Sequence, residues 1–261
     1  MRMVAFQHNR WFLSVAVLVT ALLLKYHYSN GTSEQLVWIL RPLAILVSLL
    51  TGLHFEFERG LGWVNLAESI AIAPACAGVN FLILIFCLGS YQLLWTSGRK
   101  ARLSSIFLLL VAAYGFTILV NGLRIMLSIS PFEQEVLGAI INPETAHRLS
   151  GVVIYYNALI IYYISVSCVL NGRKSNRGSS LLYLLVPLLW YLGYALVLPL
   201  VNSVNTSLSI KFWAHAQVVI LVSSTLTLSL TALFWLYQKV KQGRSPEERG
   251  IYGQCNSGSR G

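Results

Sequence analysis

The sequence predicts an all-α fold: a polytopic bundle of about seven transmembrane helices, with one short extended segment on the outer face just ahead of Cys76. Three observations predict it. Of the 261 residues 56% are hydrophobic and only 11% charged, and the mean hydropathy is +0.66, a poor fit to a water-soluble domain. Apolar runs near the ~20 residues that a bilayer core requires recur along the chain, separated by short polar breaks. The Lys and Arg residues behind the net charge of +10 gather in those breaks and in the tail. That distribution suits topology signals and anionic-lipid contacts and excludes a nucleic-acid groove.

In chain order the seven runs are Trp11 to Tyr28, Leu36 to Leu53, Cys76 to Trp95, Leu103 to Asn121, His147 to Leu170, Leu181 to Val201 and Phe212 to Tyr237. The first follows basic residues but precedes no small-residue cleavage site, so it reads as a retained span and not a signal peptide. No repeat stands out and no soluble segment is long enough to fold alone. Residues 1–261 therefore read as one integral membrane domain, with a basic cytoplasmic tail over about 238–261.

Positive charge in short loops sets the orientation. Arg99, Lys100 and Arg102, then Arg173, Lys174 and Arg177, then Lys239, Lys241, Arg244 and Arg249 all read as cytoplasmic, and their parity agrees across four spans. Phe55 to Ala75, Gly122 to Ala146 and Asn202 to Lys211 then lie outside. Carried back through seven spans, the same parity puts the N-terminus outside, against the mild opposite signal of Arg2 and Arg10. His54 to Ala75 alternates apolar and polar residues around Gly60 and Gly62, which predicts an extended, hairpin-like segment on the outer membrane face.

With this topology the third span opens at Cys76, the fourth closes near Asn121 and Arg124, and the fifth opens at His147, all at one membrane level. Each residue type suits a task there. Pro74 and Cys76 stand at a helix start, where the dipole favours an anion such as a thiolate, making Cys76 a candidate nucleophile. His147 follows the break Asn142-Pro143 and sits at the water boundary, where an imidazole can act as general base and then general acid. Arg124 brings a fixed cationic fork that could stabilise an oxyanion or grip a carboxylate. Asn121, one turn earlier, could donate to the same oxygen.

Other polar residues have plainer readings. Cys87 and Cys168 are apolar filler, and Cys255 lies in the Gly/Ser-rich tail. Arg41 is a snorkelling anchor. His8, His27, His54 and His215 are helix-end or interface residues, while Glu133, Glu135 and Glu144 are solvated charges. Tyr155, Tyr156, Tyr162 and Tyr163 read as an interface belt or helix packing. The four cysteines lack the spacing of a disulfide framework or zinc knuckle. There is no HExxH pair, no GxSxG turn and no Gly-rich phosphate loop.

Three motifs resemble those of the exosortase/archaeosortase family of membrane cysteine proteases and transpeptidases. Ala75-Cys76-Ala77-Gly78 is similar to its cysteine box, Asn121-Gly122-Leu123-Arg124-Ile125 to its arginine box, and His147-Arg148-Leu149-Ser150-Gly151 to its histidine box, in the same order. The resemblance covers about residues 36–170, which would be the catalytic core. The form CAGVNF departs from the family's commoner CSG and resembles the minor branch called exosortase K.

The resemblance implies a reaction on the outer face of the plasma membrane. Its substrates would be exported proteins with a C-terminal sorting signal, made of a short motif, a transmembrane helix and a basic end. Cys76 would form a thioester, Arg124 would hold the oxyanion and His147 would shuttle protons. The acceptor would be water or a lipid or glycan amine or hydroxyl, and no metal or organic cofactor is called for. A reading from another class is a non-catalytic membrane component of polysaccharide export or of a transporter assembly, in which Arg124 is a structural or pathway charge.

Overall fold

The structure is a computed structural model that describes residues 2–97, 101–130, 142–171, 180–197 and 210–243. Arg99, Lys100, Glu133, Glu135, Arg173, Lys174, Arg177, Arg244, Arg249, Cys255 and residues 202–209 lie outside the described residues, as do the side chains of His8, Glu144, His215 and Lys241.

The described chain is mostly helical. Its α-helices are α1 (Arg2–Asn30), α2 (Val37–Thr51), α3 (Val79–Tyr91), α4 (Leu103–Ile129), α5 (Pro143–Asn171), α6 (Ser180–Leu192) and α7 (Ile210–Gly243). Wider π-type turns prolong α3 over Gln92–Thr96 and α6 over Gly193–Val197. Five segments are long and apolar enough to cross a membrane: Arg10–Asn30, Pro74–Thr96, Leu103–Ile129, Thr145–Asn171 and Ala216–Tyr237. Within the bundle the Pro74–Thr96 window is 78% buried, against 17% for Arg10–Asn30 and 22% for Leu103–Ile129, so α3 is the central helix. Leu18 and Leu22 on α1, Phe107 and Leu108 on α4, and Leu221 and Leu228 on α7 instead face outward. Large apolar side chains on the outside suit a lipid surround.

Side-chain pairs fix the helix directions. Trp11 meets Trp95 edge-on at 5.5 Å, and Lys25 Nζ donates to Asn80 Oδ1 at 3.0 Å, so α1 runs antiparallel to α3. Phe81 faces Phe116, and Asn121 donates to the Cys76 carbonyl, making α3 and α4 antiparallel. Tyr155 stacks on Phe81 at 4.8 Å, while Gln92 Nε2 donates to the Tyr163 carbonyl, so α5 lies parallel to α3.

These directions correct the start of the predicted topology. Since the end of α1 lies beside the start of α3, the chain between them makes no net crossing, and α2 is not a span. It has 15 residues, about 22 Å of helix against a hydrocarbon core of about 30 Å. It runs along the site end of α4: Tyr114 Oη donates to the Trp38 carbonyl at 2.6 Å, and Leu46 lies against Gly122. The N-terminus of α1 consequently shares a side with Trp95 and the start of α4, opposite to the end predicted by counting seven spans.

Between α2 and α3 the chain forms an antiparallel sheet of strands β1 (Glu56–Glu58), β2 (Gly62–Asn65) and β3 (Ile70–Ile72), in that order. Glu56 pairs with Val64 and Trp63 with Ile72. The sheet is tied to the α1–α2 turn through the Gly60 N–H, which reaches Ser33 Oγ at 3.1 Å and Glu34 Oε1 at 3.2 Å.

Candidate functional site

Cys76 is delivered by a change of backbone type. Ala73 is extended, and Pro74 opens a single 3-10 turn, Pro74–Cys76, closed by Cys76 N–H donating to the Ala73 carbonyl at 2.8 Å. Proline suits this first position because its φ is preset and no N–H is needed there. Gly78 then takes φ +72° and caps α3, which starts at Val79. Cys76 therefore stands at the helix start, in the 3-10 turn that precedes the Gly78 cap of α3. The side chain is half-buried.

Arg124 and Asn121 come from one face of α4, together with Ser128: positions i, i+3 and i+7 stack along a helix. His147 and Tyr155 come from α5, with Gly151 between them at i, i+4 and i+8 on a matching face. The two faces meet in a continuous set of polar contacts. Asn121, fully buried, donates through Nδ2 to the Cys76 carbonyl. Its Oδ1 accepts from Tyr155 Oη at 2.7 Å. Tyr155 Oη in turn accepts from Arg124 Nη1 at 3.3 Å, and the guanidinium lies 5.4 Å from the Tyr155 ring centre. Arg124 Nη2 is 3.1 Å from His147 Nε2, and His147 Nδ1 is 3.1 Å from Ser128 Oγ.

This arrangement assigns the histidine tautomer. A guanidinium has donors only, so Nε2 must accept from Arg124. The ring proton is then on Nδ1 and is donated to Ser128 Oγ. Arg124 Nε is buried without a hydrogen-bond partner among the described residues and lies against Gly151, where an added Cβ would come to 3.3 Å of it. A side chain in place of Gly151 would crowd the guanidinium where it passes α5.

The structure thus brings Asn121, Arg124 and His147 together and attaches them to the Cys76 backbone. Among the described residues no hydrogen bond joins the Cys76 sulfur to His147. Asn121 occupies a different place from the one expected. Its amide is engaged with the Cys76 carbonyl and the Tyr155 hydroxyl, so it braces the turn and does not point at a reacting oxygen. Tyr155 and Ser128 are the residues that sequence reading missed, Tyr155 having been taken for belt or packing. Tyr28 on α1 also lies within electrostatic reach of Cys76 and Arg124. Cys87 is half-buried and Cys168 exposed. Among the described residues no group of three His, Cys, Asp or Glu side chains could hold a metal ion.

Comparison with protein-family models, with characterised proteins and with solved structures found no match to this chain.

Proposed function

We propose that this chain is a membrane-embedded cysteine peptidase or transpeptidase that cleaves the C-terminal sorting signal of exported proteins at the outer face of the plasma membrane. The observation that carries the reading is the unbroken contact path from the Cys76 backbone through Asn121, Tyr155 and Arg124 to His147. Three elements far apart in sequence place a thiol-bearing turn, a guanidinium and an imidazole at one end of the bundle. Orientation rests on the basic residues that precede α4 in the sequence, Arg99, Lys100 and Arg102, which favour the cytoplasmic side for the start of α4 and so the outer side for the site. Counting Ser180–Val197 as a crossing gives six spans, with both termini in the cytoplasm and Arg2 and Arg10 on the side that positive charge favours.

In this mechanism the Cys76 thiol gives its proton to His147 Nε2 while the sulfur attacks the carbonyl carbon of the scissile peptide. Nε2 is occupied by Arg124 at rest, so Arg124 must leave it as substrate enters. The guanidinium then meets the negative charge that develops on the carbonyl oxygen, where a preorganised cation lowers the barrier most. Collapse of the tetrahedral intermediate breaks the C–N bond, and His147 returns the proton to the departing amine. The resulting thioester is opened by water or by an amine or hydroxyl acceptor, whose proton passes to His147 and then back to sulfur. Ser128 keeps the ring oriented by accepting from Nδ1.

The test is processing of a tagged candidate substrate in cells. Cys76→Ala and Cys76→Ser should each abolish it while the protein still accumulates in the membrane. Undiminished processing by both variants would contradict the proposal.

A further inference from the structure

A second feature lies along α3 below the site. A groove of about 470 Å³ is walled by Leu18 and Leu22 of α1, Leu84 and Cys87 of α3, and Leu189 and Trp190 of α6. Lys25 and Tyr194 also line it. There Lys25 Nζ donates to Asn80 Oδ1 at 3.0 Å, and Tyr194 Oη donates to the same oxygen at 3.1 Å. The ammonium carries three N–H groups and the Asn80 amide nitrogen two more, so the cluster keeps donors to spare. Lys25 also lies 5.6 Å from the Tyr28 ring centre. Among the described residues no carboxylate lies within ion-pair distance of Lys25, the single ion pair found being His54–Glu56.

We propose that this groove is a binding site for an anionic phospholipid, with one acyl chain between α1, α3 and α6 and the phosphate on Lys25, Asn80 Nδ2 and Tyr194. The lining selects the tail: Leu18, Leu22, Leu84, Leu189 and Trp190 make the wall between α1, α3 and α6 apolar, as an acyl chain requires. Charge selects the head group. Moving an acyl chain from bilayer to groove exchanges one apolar surface for another, so any preference must come from the polar mouth. An anionic phosphate supplies the charge that Lys25 lacks, and a zwitterionic head group brings its own cation to the same place. This inference goes beyond the peptidase reading and stands whether or not Cys76 is a nucleophile.

Trp190 in the groove wall reports occupancy. The full chain is placed in phosphatidylcholine nanodiscs containing brominated-acyl phosphatidylglycerol or brominated-acyl phosphatidylcholine, and the Trp190 signal is taken as wild type minus Trp190→Phe. Half-quenching should need about fivefold less of the anionic lipid, the preference expected of one basic residue. Lys25→Gln should erase the difference while leaving quenching by phosphatidylcholine in place, and Lys25→Arg should retain it. Equal quenching by both lipids in the wild type would overturn the proposal. So would no quenching by either, which would mean that a protein segment covers the groove, and so would a preference that survives in Lys25→Gln.

Discussion

At Gly78 the backbone and the site constrain one another. Its φ of +72° lies in the left-handed region, and an added Cβ would meet Asn121 Nδ2 at 2.9 Å. An L-residue there costs about 1–2 kcal/mol in backbone strain alone. Gly78→Ala should therefore lower stability by at least that amount, read as a fall in thermal unfolding midpoint in detergent; an unchanged midpoint would mean that the turn tolerates a side chain. Tyr155→Phe should also destabilise, by about 1–3 kcal/mol, because it leaves the buried Asn121 Oδ1 without a donor. Chemical denaturation checks this, with Tyr156→Phe measured beside it as a neighbouring hydroxyl with a different partner. Cys76 and His147 were legible as candidates because each stands near a break between apolar runs, and Arg124 because a charge within an apolar helix calls for a role. Tyr155 was not, since four tyrosines of one type cluster on α5. The available signal was the spacing His147, Gly151, Tyr155 against Asn121, Arg124, Ser128, two stripes that face each other only when the helices are antiparallel.

Elements carry the second layer of the account. The apolar run from Leu36 to Leu53 looks like a span in sequence, yet it yields a 15-residue helix that ends at the left-handed Gly52. Hydropathy registers burial against α4 and burial in lipid alike, which is why α2 was counted. Its start and the sheet are held by local hydrogen bonds, and one of these depends on pH. Hydrogen bonding from the Thr32 side chain, together with backbone N–H groups, holds the Glu34 carboxyl below its ordinary range. A depressed folded value means the contribution is present above the unfolded value and is lost as pH falls through the folded one. Protection of the Gly60 amide against hydrogen exchange, corrected for intrinsic rate, should accordingly weaken only on acidification below the usual carboxylate range. Glu34→Gln should remove that dependence, and a dependence that persists in Glu34→Gln would assign it elsewhere.

On the scale of the whole molecule, composition alone made the class legible: five described helices are long and apolar enough to cross a membrane. The end at which the chain begins was not legible, because one miscounted helix inverts every parity before it. The antiparallel pairing of α1 with α3, through Trp11–Trp95 and Lys25–Asn80, predicts that reporters fused to the N-terminus and to the C-terminal tail both read as cytoplasmic. A periplasmic N-terminal reporter would restore α2 as a crossing. The central claim is that Cys76, Arg124 and His147 share one site on the outer face. The measurement that tests it most directly is labelling of intact cells with a membrane-impermeant thiol reagent, using a chain whose only cysteine is Cys76. Modification of Cys76 from outside is the predicted result; modification only after the cytoplasmic side is opened would contradict it.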